Sequence, residues 1–336
     1  MARTLTIKDP KKRLDPLVTP CMIATTEMGM IPCVTPDISP SMPYYISVGD
    51  FIDNNSSQKV IDKVNQVTLG LGERWIFLGP CTNFNNFDAG PSNNGVKIYC
   101  RNGTLETITK DIYQKIIDSI KPNCVISLYS PILPGASSRQ KKLRIKSVID
   151  LATQYPDVIN FTHELCNDGQ ESNPDQSENY KDLVKSTSIF FQYGEITDEI
   201  EKDIAAKIAL RDSSLPRMLL CDGHPEDVRK CYKLGIDIFL LNLPFLAAKR
   251  GFAMTFDFHE NKYKEIGIDL KSKEFEHDHT PILSDCDCPC CKQFTRSYIY
   301  HLLEVHEMLS GTLLVQHNIR HYQRYLESLR NEFTNQ

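Results

Sequence analysis

The sequence lacks the features that indicate a nucleotide-binding, membrane-spanning or secreted protein. It contains no glycine-rich strand-to-helix turn of the dinucleotide-binding or P-loop type. Its longest apolar run, residues 236–248, is interrupted by Asp237, Asn242 and Pro244 and is too short to span a bilayer. The first residues are charged and polar rather than a hydrophobic signal core. We therefore expect a cytoplasmic protein with no integral membrane segment.

An excess of positive charge is also absent, because the formal net charge is −5 over 336 residues. Without an overall basic field, any contact with RNA would need a local patch or a partner chain. The hydrophobic content of 41% and the charged content of 24% are ordinary for a globular protein. The length fits one large domain or two smaller ones, so composition alone does not decide the domain count.

Cysteine, by contrast, is plentiful and unevenly placed. Four of the twelve cysteines fall within the six residues C-D-C-P-C-C that begin at Cys286. Without a secretory signal, such a cluster more often binds a metal than forms disulfides. The spacing C-x-C-x-x-C selects Cys286, Cys288 and Cys291, and the distant His317 supplies a fourth ligand of the kind that tetrahedral Zn²⁺ needs. We predict one structural zinc ion per chain at these four residues.

Two neighbours of this motif leave alternatives open. Cys290 directly precedes Cys291, and because adjacent cysteines rarely both bind one ion, we expect Cys290 to be a spare thiol. His321 lies one helical turn beyond His317, on the same helix face, and is the most credible substitute for it.

The residues that follow the cysteines predict two helices. Residues 294–309 place apolar side chains at helical spacing, and Ser310-Gly311 offers a stop. A second helical pattern runs through residues 313–329 and contains His317. Zinc would therefore connect the cysteine segment to the second of two packed helices.

Upstream, apolar strands alternate with helices, a pattern that is typical of a buried parallel sheet. The predicted strands lie near residues 44–51, 75–78, 124–129, 158–162, 188–193, 218–221 and 236–241. The predicted helices lie near residues 57–69, 109–120 and 138–153, around Tyr180 at the end of a polar loop, after Thr197, and after His224. Two hairpins are expected, one between residues 20–24 and 31–36 and one between 96–100 and 105–108. Either a doubly wound sheet or a (β/α)8 barrel fits this order.

Several motifs together resemble the tRNA-guanine transglycosylase family. The segments that carry the resemblance are the three-cysteine motif, Thr295-Arg296-Ser297-Tyr298, His317-Asn318, Asp222-Gly223-x-Pro225-Glu226-Asp227 and Gly235-Ile236-Asp237-Ile238-Phe239. The resemblance implies an α/β fold, a (β/α)8 TIM-type barrel with a C-terminal zinc-binding helical subdomain. We expect the barrel over residues 1–256, and the zinc-binding subdomain with the C-terminal helices over residues 257–336.

One departure from the family's pattern bears directly on activity. In catalytic members, Gly-x-Asp-x-Phe is followed by the aspartate that attacks C1′ of guanosine. Leu240 stands at that place here, and its side chain has no lone pair with which to form a ribosyl intermediate. The second catalytic acid and most glycines of the base pocket are also without equivalents. The resemblance therefore implies that the chain has no catalytic residues of its own.

For function, the resemblance implies a non-catalytic paralogue that forms a heterodimer with a catalytic queuine tRNA-ribosyltransferase subunit. That pair replaces guanine with queuine at the wobble position of tRNAs with G-U-N anticodons, so that tRNA would be reached through the complex. The family also implies a peripheral association with the mitochondrial outer membrane.

Two other interpretations stay open. One is an active transglycosylase or ribosyl hydrolase that uses displaced carboxylates, with Asp222 the best candidate because it follows a strand, at the catalytic end of a barrel; Asp237 and Glu195 come next. The other is a zinc-stabilised scaffold with no RNA role. Candidate RNA contacts near the zinc motif, each also compatible with a solvated helix face, are Lys292, Arg296, Arg320, Arg324 and Arg330.

Overall fold

The structure is a computed structural model. It describes residues 2–35, 38, 41–52, 70, 73–80, 96–100, 104–128, 155, 158–163, 187–258, 263 and 265–334. The helices predicted near residues 57–69 and 138–153 and around Tyr180 lie outside the described residues.

Eight parallel strands close into a barrel, as predicted. They are β3 (Cys21–Thr25), β4 (Tyr44–Ser47), β5 (Ile76–Gly79), β8 (Cys124–Ile126), β9 (Ile159–His163), β10 (Ser188–Gln192), β11 (Arg217–Cys221) and β12 (Ile238–Leu241). Neighbouring strands follow one another in chain order, and β12 pairs with β3 to close the ring. All eight strands therefore end at the same rim of the barrel, which is where side chains from different strands can meet.

Six shorter strands lie outside the barrel and form three antiparallel pairs. They are β1 (Thr6–Ile7) with β2 (Leu17–Val18), β6 (Val96–Tyr99) with β7 (Leu105–Ile108), and β13 (Phe252–Met254) with β14 (Gly267–Asp269). The predicted hairpin between β6 and β7 is confirmed. The β13–β14 pair spans the predicted domain boundary at residue 257, and that boundary stays a prediction.

Seven α-helices are described. They are α1 (Lys110–Ile120), α2 (Asp198–Ala209), α3 (Pro225–Leu234), α4 (Leu243–Lys249), α5 (Pro289–Gln293), α6 (Arg296–Glu304) and α7 (Met308–Thr334). Short 3-10 helices cover Val48–Phe51 and Lys273–Phe275. None of these helices combines the length and the apolar composition needed to cross a membrane.

Threonine side chains start three of the helices. Thr109, Thr197 and Thr295 each have extended backbone angles, and each hydroxyl accepts a hydrogen bond from the backbone N–H three residues on. Such a cap satisfies one of the N–H groups that the first turn leaves free and is worth about 1 kcal/mol. The prediction of a helix after Thr197 is confirmed.

The barrel interior is a continuous apolar cluster. Its buried members are Ile7, Ile23, Tyr45, Trp75, Phe77, Cys124, Ile126, Phe161, Phe190, Met218, Leu220, Ile238 and Leu240. These side chains come from all eight barrel strands, from Trp75 directly before β5, and from Ile7 in β1. The interior is thus a packed core, as small parallel barrels require.

The long helix α7 connects the C-terminal region to both ends of the barrel. The hydroxyl of Tyr322 donates to the carbonyl of Gly223 at 2.8 Å, beyond the C-terminal end of β11. The guanidinium of Arg330 donates to the carbonyls of Val18, Thr19 and Pro20, which precede β3. Anything that holds α7 in place therefore also supports the sector of the barrel that contains β11, β12 and β3.

Two local predictions are wrong. Residues 20–24 and 31–36 do not form a hairpin, because Cys21–Thr25 is a barrel strand whose edges are taken by β12 and β4. Ser310-Gly311 does not end a helix, because α6 ends at Glu304 and α7 already begins at Met308. The chain turns instead at His306, which has a positive φ of 58°. Gly311 lies where a Cβ atom would come within 3.3 Å of the Cys33 sulfur.

Candidate metal centre and barrel mouth

The cysteine segment folds as a turn followed by a very short helix. Cys288 is the N-cap of α5, and its sulfur accepts a hydrogen bond from the backbone N–H of Cys291 at 3.3 Å. Pro289 occupies the first helical position, where its missing N–H costs nothing. This geometry turns the sulfurs of Cys288 and Cys291 toward one point, and the preceding turn brings in Cys286.

The helix α7 supplies a nitrogen to the same point. Nδ1 of His317 lies 3.8 Å from the Cys286 sulfur, 3.6 Å from the Cys288 sulfur and 3.2 Å from the Cys291 sulfur. The four donor atoms all lie within 4.8 Å of one another, and all four residues are buried. The structure therefore brings together the four residues predicted to bind zinc.

The distances fit a tetrahedral metal ion. With Zn–S bonds of about 2.3 Å and a Zn–N bond of about 2.0–2.1 Å, tetrahedral angles separate sulfur from nitrogen by about 3.6 Å. The observed separations of 3.2, 3.6 and 3.8 Å lie on both sides of that value. A disulfide does not compete for these sulfurs, because all ten cysteines among the described residues are free thiols.

The hydrogen bonds of His317 determine which ring nitrogen faces the sulfurs as an acceptor. Nε2 lies 2.9 Å from the carbonyl oxygen of Met254, and a carbonyl can only accept, so Nε2 carries a proton. In the neutral ring, Nδ1 then has a free lone pair directed at the three sulfurs. A metal-binding histidine is commonly fixed in this way through its other nitrogen.

Electrostatics within the cluster favour a bound cation. Hydrogen bonds from Cys286, Cys290 and Cys291 lower the pKa of the Cys288 thiol, which makes Cys288 the thiolate of the group. Burial alone would lower the pKa of His317, but its contacts with Cys286 and Cys288 raise that pKa to about 9. The contacts within the cluster thus favour a negative charge on the Cys288 sulfur beside a protonated His317 ring. A metal ion would displace these protons and take over the positive charge.

The two alternative ligands are close to the cluster but are not part of the four-donor group. Cys290 is completely buried, and its pKa is raised by its hydrogen bond to Cys288 and by burial, so that it remains a thiol. Nε2 of His321 lies 3.1 Å from the carbonyl oxygen of Phe256. Burial lowers the pKa of His321 to about 3, so its ring is neutral at pH 7. Its centroid is 6.0 Å from that of His317.

In the barrel interior, residue 240, the position that corresponds to the family's nucleophile, has no donor atom. Leu240 lies on β12, level with Leu220 on β11 and Ile23 on β3. Its side chain is 1% exposed and belongs to the apolar cluster inside the barrel. Burying it there stabilises the fold by about 1.5–3 kcal/mol relative to leaving it exposed. The residue therefore packs the core and offers no atom for chemistry.

The candidate carboxylates lie at opposite ends of the barrel. Asp237 precedes β12 at the N-terminal rim, is fully buried, and accepts from the Arg3 guanidinium at 2.8 and 2.6 Å and from the Arg217 backbone N–H at 2.9 Å. Asp222 and Glu195 follow β11 and β10 at the C-terminal rim and are exposed. Asp237 is thus part of a structural ion pair at the rim opposite to the one where such barrels have their active sites.

Four of the five candidate RNA contacts take part in contacts within the chain. Arg296 pairs with Asp278, Arg320 with Asp287 and Glu327, and Arg324 with Asp285, while Arg330 donates to the three carbonyls before β3. Lys292 is exposed. Sequence patterns missed the acidic partners because most lie in the polar stretch 278–287, which has little periodicity. RNA binding by these residues stays a prediction.

Comparison with known proteins finds similarity to queuine tRNA-ribosyltransferases and to their accessory subunits. Residues 175–336 match the family model described as queuine tRNA-ribosyltransferase. The accessory subunit 2 of queuine tRNA-ribosyltransferase from Schizosaccharomyces pombe is 26% identical over 349 residues, which cover 94% of this chain and 74% of that protein. The protein of the same name from Ixodes scapularis is 35% identical over 144 residues, 40% of this chain and 36% of that protein.

Relatives named as the enzyme itself also match. Queuine tRNA-ribosyltransferase from a Psychrobacter species is 32% identical over 138 residues, 41% of this chain and 35% of that protein. The relatives named as accessory subunit and those named as the enzyme both fit the structure, which has the closed barrel and the buried group of three cysteines and one histidine that the resemblance implied. Residues 175–336 accordingly resemble the queuine tRNA-ribosyltransferase family, and the chain as a whole is similar to its accessory subunit 2 proteins.

Proposed function

We propose that this chain is the non-catalytic accessory subunit of a eukaryotic queuine tRNA-ribosyltransferase heterodimer. Its catalytic partner would exchange guanine for queuine at the wobble position of tRNAs with G-U-N anticodons. The observation that carries this proposal is Leu240, an aliphatic side chain packed inside the barrel at the place the family uses for its nucleophile. Base exchange at C1′ through a covalent intermediate needs an atom with a lone pair at that place.

The remaining carboxylates give little support to an active enzyme. A general acid or base in such chemistry is held within hydrogen-bond reach of the reacting group, at the C-terminal rim of a barrel. Asp222 and Glu195 are exposed at the C-terminal rim, and Asp237 is paired with Arg3 at the other rim. The interpretation as an active transglycosylase is therefore the weaker one.

Zinc is the metal that suits the four-donor group, and its role here is structural. Three thiolates and one imidazole fill all four tetrahedral positions and leave none open for water or substrate. The ion would hold the turn before α5 against α7. The chain places Cys286, Cys288, Cys291 and His317 so that all four can bind it. No step of base exchange is assigned to it.

An exposed apolar surface on α6 and α7 suits attachment to the catalytic subunit. Among the described residues, four of the eleven exposed large apolar side chains fall within residues 298–309: Tyr298, Val305, Met308 and Leu309. Met308 is 87% exposed. Tyr298 stacks on Phe294 with centroids 5.2 Å apart, which makes a flat aromatic surface. We call these residues the α6–α7 patch; exposed apolar groups of this kind are typical of protein interfaces.

The α6–α7 patch continues onto the N-terminal segment. The hydroxyl of Thr312 donates to the carbonyl of Cys33 at 2.6 Å, and the Gln316 amide donates to the carbonyl of Ile38 at 3.2 Å. Ile38, which is 47% exposed, thereby lies beside α7. A surface assembled from two distant parts of the chain can bind a partner only when α7 is in place.

The decisive experiment measures guanine exchange into tRNA with the purified chain, with a catalytic subunit, and with both. We expect no exchange by the chain alone and a stable heterodimer with the catalytic subunit that is active. Exchange by the chain alone that is lost in Asp222→Ala would establish the active-enzyme alternative. Failure to bind any catalytic subunit would favour the scaffold without an RNA role.

The partner surface has its own test. The substitutions Tyr298→Glu and Met308→Glu should weaken the heterodimer at least tenfold, because each places a charge in an apolar contact. Leu210→Glu is the matched control, since Leu210 is 62% exposed but follows α2, away from the patch. Equal loss of binding in the control would show that the patch is not the contact.

A further inference from the structure

The strand β13 has one edge that is completed by side chains instead of another strand. Its other edge pairs with β14, with Ala253 opposite Ile268 in the register. The backbone groups of Phe252, Met254 and Phe256 face away from β14 and toward α7. An uncovered edge would leave buried N–H and C=O groups without partners, which destabilises the fold.

Three polar residues of α7, His317, Asn318 and His321, supply those partners. The carbonyl of Met254 accepts from Nε2 of His317 at 2.9 Å, and the carbonyl of Phe256 is 3.1 Å from Nε2 of His321. Asn318 makes the remaining contacts. Its Oδ1 accepts from the Met254 N–H at 2.8 Å, and its Nδ2 donates to the carbonyl of Phe252 at 3.0 Å.

Asn318 also reaches a third element. Its Nδ2 donates to the carbonyl of Pro244 in α4, the helix that directly follows β12, at 3.1 Å. The side chain is completely buried. Because one end of the amide faces an N–H and the other faces two carbonyls, only one orientation of the amide satisfies all three bonds. Asn318 is therefore fixed between α4, β13 and α7.

The backbone of Met254 is consequently held at its N–H and at its carbonyl by adjacent residues of one helix. Asn318 binds its N–H, and His317 binds its carbonyl. The carbonyl is the group that keeps the proton of His317 on Nε2 and leaves Nδ1 to face the three sulfurs. We propose that Asn318 is a positioning residue of the metal centre, which fixes the orientation of His317 through the backbone of Met254 without touching the metal itself.

The test compares rates of zinc loss from the full chain to a chelator. Substitution of a residue that orients a metal ligand typically costs about 10–100-fold in metal affinity, so Asn318→Leu should release zinc faster by a factor in that range. Asn318→Asp keeps an oxygen for the Met254 N–H and should release zinc more slowly than Asn318→Leu. Gln316→Leu is the matched control, because Gln316 is a nearly buried amide of α7 that donates to Ile38 instead.

A second readout separates positioning from general stability. In ¹⁵N-histidine spectra of the zinc-loaded chain, His317 should be protonated at Nε2 in the unaltered protein and in Asn318→Asp. If Asn318→Leu does not fold, the Asn318→Asp spectrum decides, and a changed His317 tautomer there overturns the proposal. It is also overturned if both variants release zinc in proportion to their lost unfolding stability. If the unaltered chain binds no zinc, the metal assignment fails instead.

Discussion

The barrel interior and the cysteine–histidine cluster are both buried, yet they differ in what burial does for them. The interior is filled by aliphatic and aromatic side chains, and its Leu240 contributes packing only. The cluster concentrates three sulfurs and a nitrogen that would repel or strain one another without a cation or a shared proton. Burial of an apolar group stabilises by itself, whereas burial of polar donors is favourable only when they are satisfied. One region therefore contributes packing, and the other brings four possible metal ligands together.

The largest expected effect comes from breaking the cluster. Cys288→Ser should abolish zinc binding and unfold the helices after the cysteine segment, because structural zinc sites couple about 10–16 kcal/mol of binding to local folding. Metal content per chain and hydrogen exchange over α5–α7 measure this. Cys290→Ser should keep one zinc per chain. If Cys288→Ser keeps one zinc per chain and its heterodimer, the ligand assignment is wrong.

The opposite change, placing a charge in the barrel interior, should give the next largest effect. Leu240→Asp should not create guanine exchange, and it should destabilise the barrel by about 3–5 kcal/mol at neutral pH, because the carboxylate would be buried without a partner. Leu240→Asn is the neutral control of the same shape. Urea unfolding and an exchange assay test both points; measurable exchange by Leu240→Asp would show that the other catalytic contacts survive.

The pH dependence of Leu240→Asp has a definite sign. Burial raises the pKa of an unpaired carboxyl above its unfolded value of about 3.9. Between those two pKa values the folded state holds more protons than the unfolded state, so stability falls as pH rises. The difference in unfolding free energy between Leu240→Asp and Leu240→Asn should therefore grow from acid to neutral pH. A constant difference would mean that water reaches the site.

The two ends of the barrel allow a further comparison. Asp237→Ala should cost about 3–5 kcal/mol of unfolding free energy, because it removes the partner of Arg3 and a bond from the Arg217 backbone. Asp222→Ala should change stability by less than about 0.5 kcal/mol, since Asp222 is exposed at the other rim. Denaturant titrations of the two variants measure this. Equal costs would contradict the assignment of Asp237 as structural and Asp222 as solvated.

A smaller effect than that of Asp237→Ala is expected at Asp9, a buried carboxylate of the N-terminal segment. Burial raises the pKa of Asp9, but hydrogen bonds from the Arg13 backbone, the Asn123 amide and two further backbone N–H groups outweigh burial and lower it. Its stabilisation is therefore complete above the unfolded pKa and is lost as pH falls through the lower folded pKa. Asp9→Asn should flatten the acid side of the stability curve by about 1–2 kcal/mol. Asp15→Asn controls for the lost charge alone.

Local signals in the sequence predicted several elements well. Threonine caps marked the start of α2, the alternation of strands and helices pointed to a parallel sheet, and the hairpin of β6 and β7 followed from its turn residues. The hairpin expected between residues 20–24 and 31–36 failed because a short apolar strand does not specify its neighbours. The helix stop expected at Gly311 failed because that glycine serves a close approach to Cys33 instead.

The sequence by itself determined which chemistry is available. The types and spacing of the possible metal ligands, and the identity of residue 240, can be read from it without knowledge of the fold. The tertiary structure alone decided where that chemistry lies. Barrel closure placed Asp237 and Asp222 at opposite rims, and the edge of β13 brought Met254 to residues 317 and 318 of α7. Contacts between residues that are 60 or more positions apart depend on how the strands close and how the helices pack, and no local pattern specifies them.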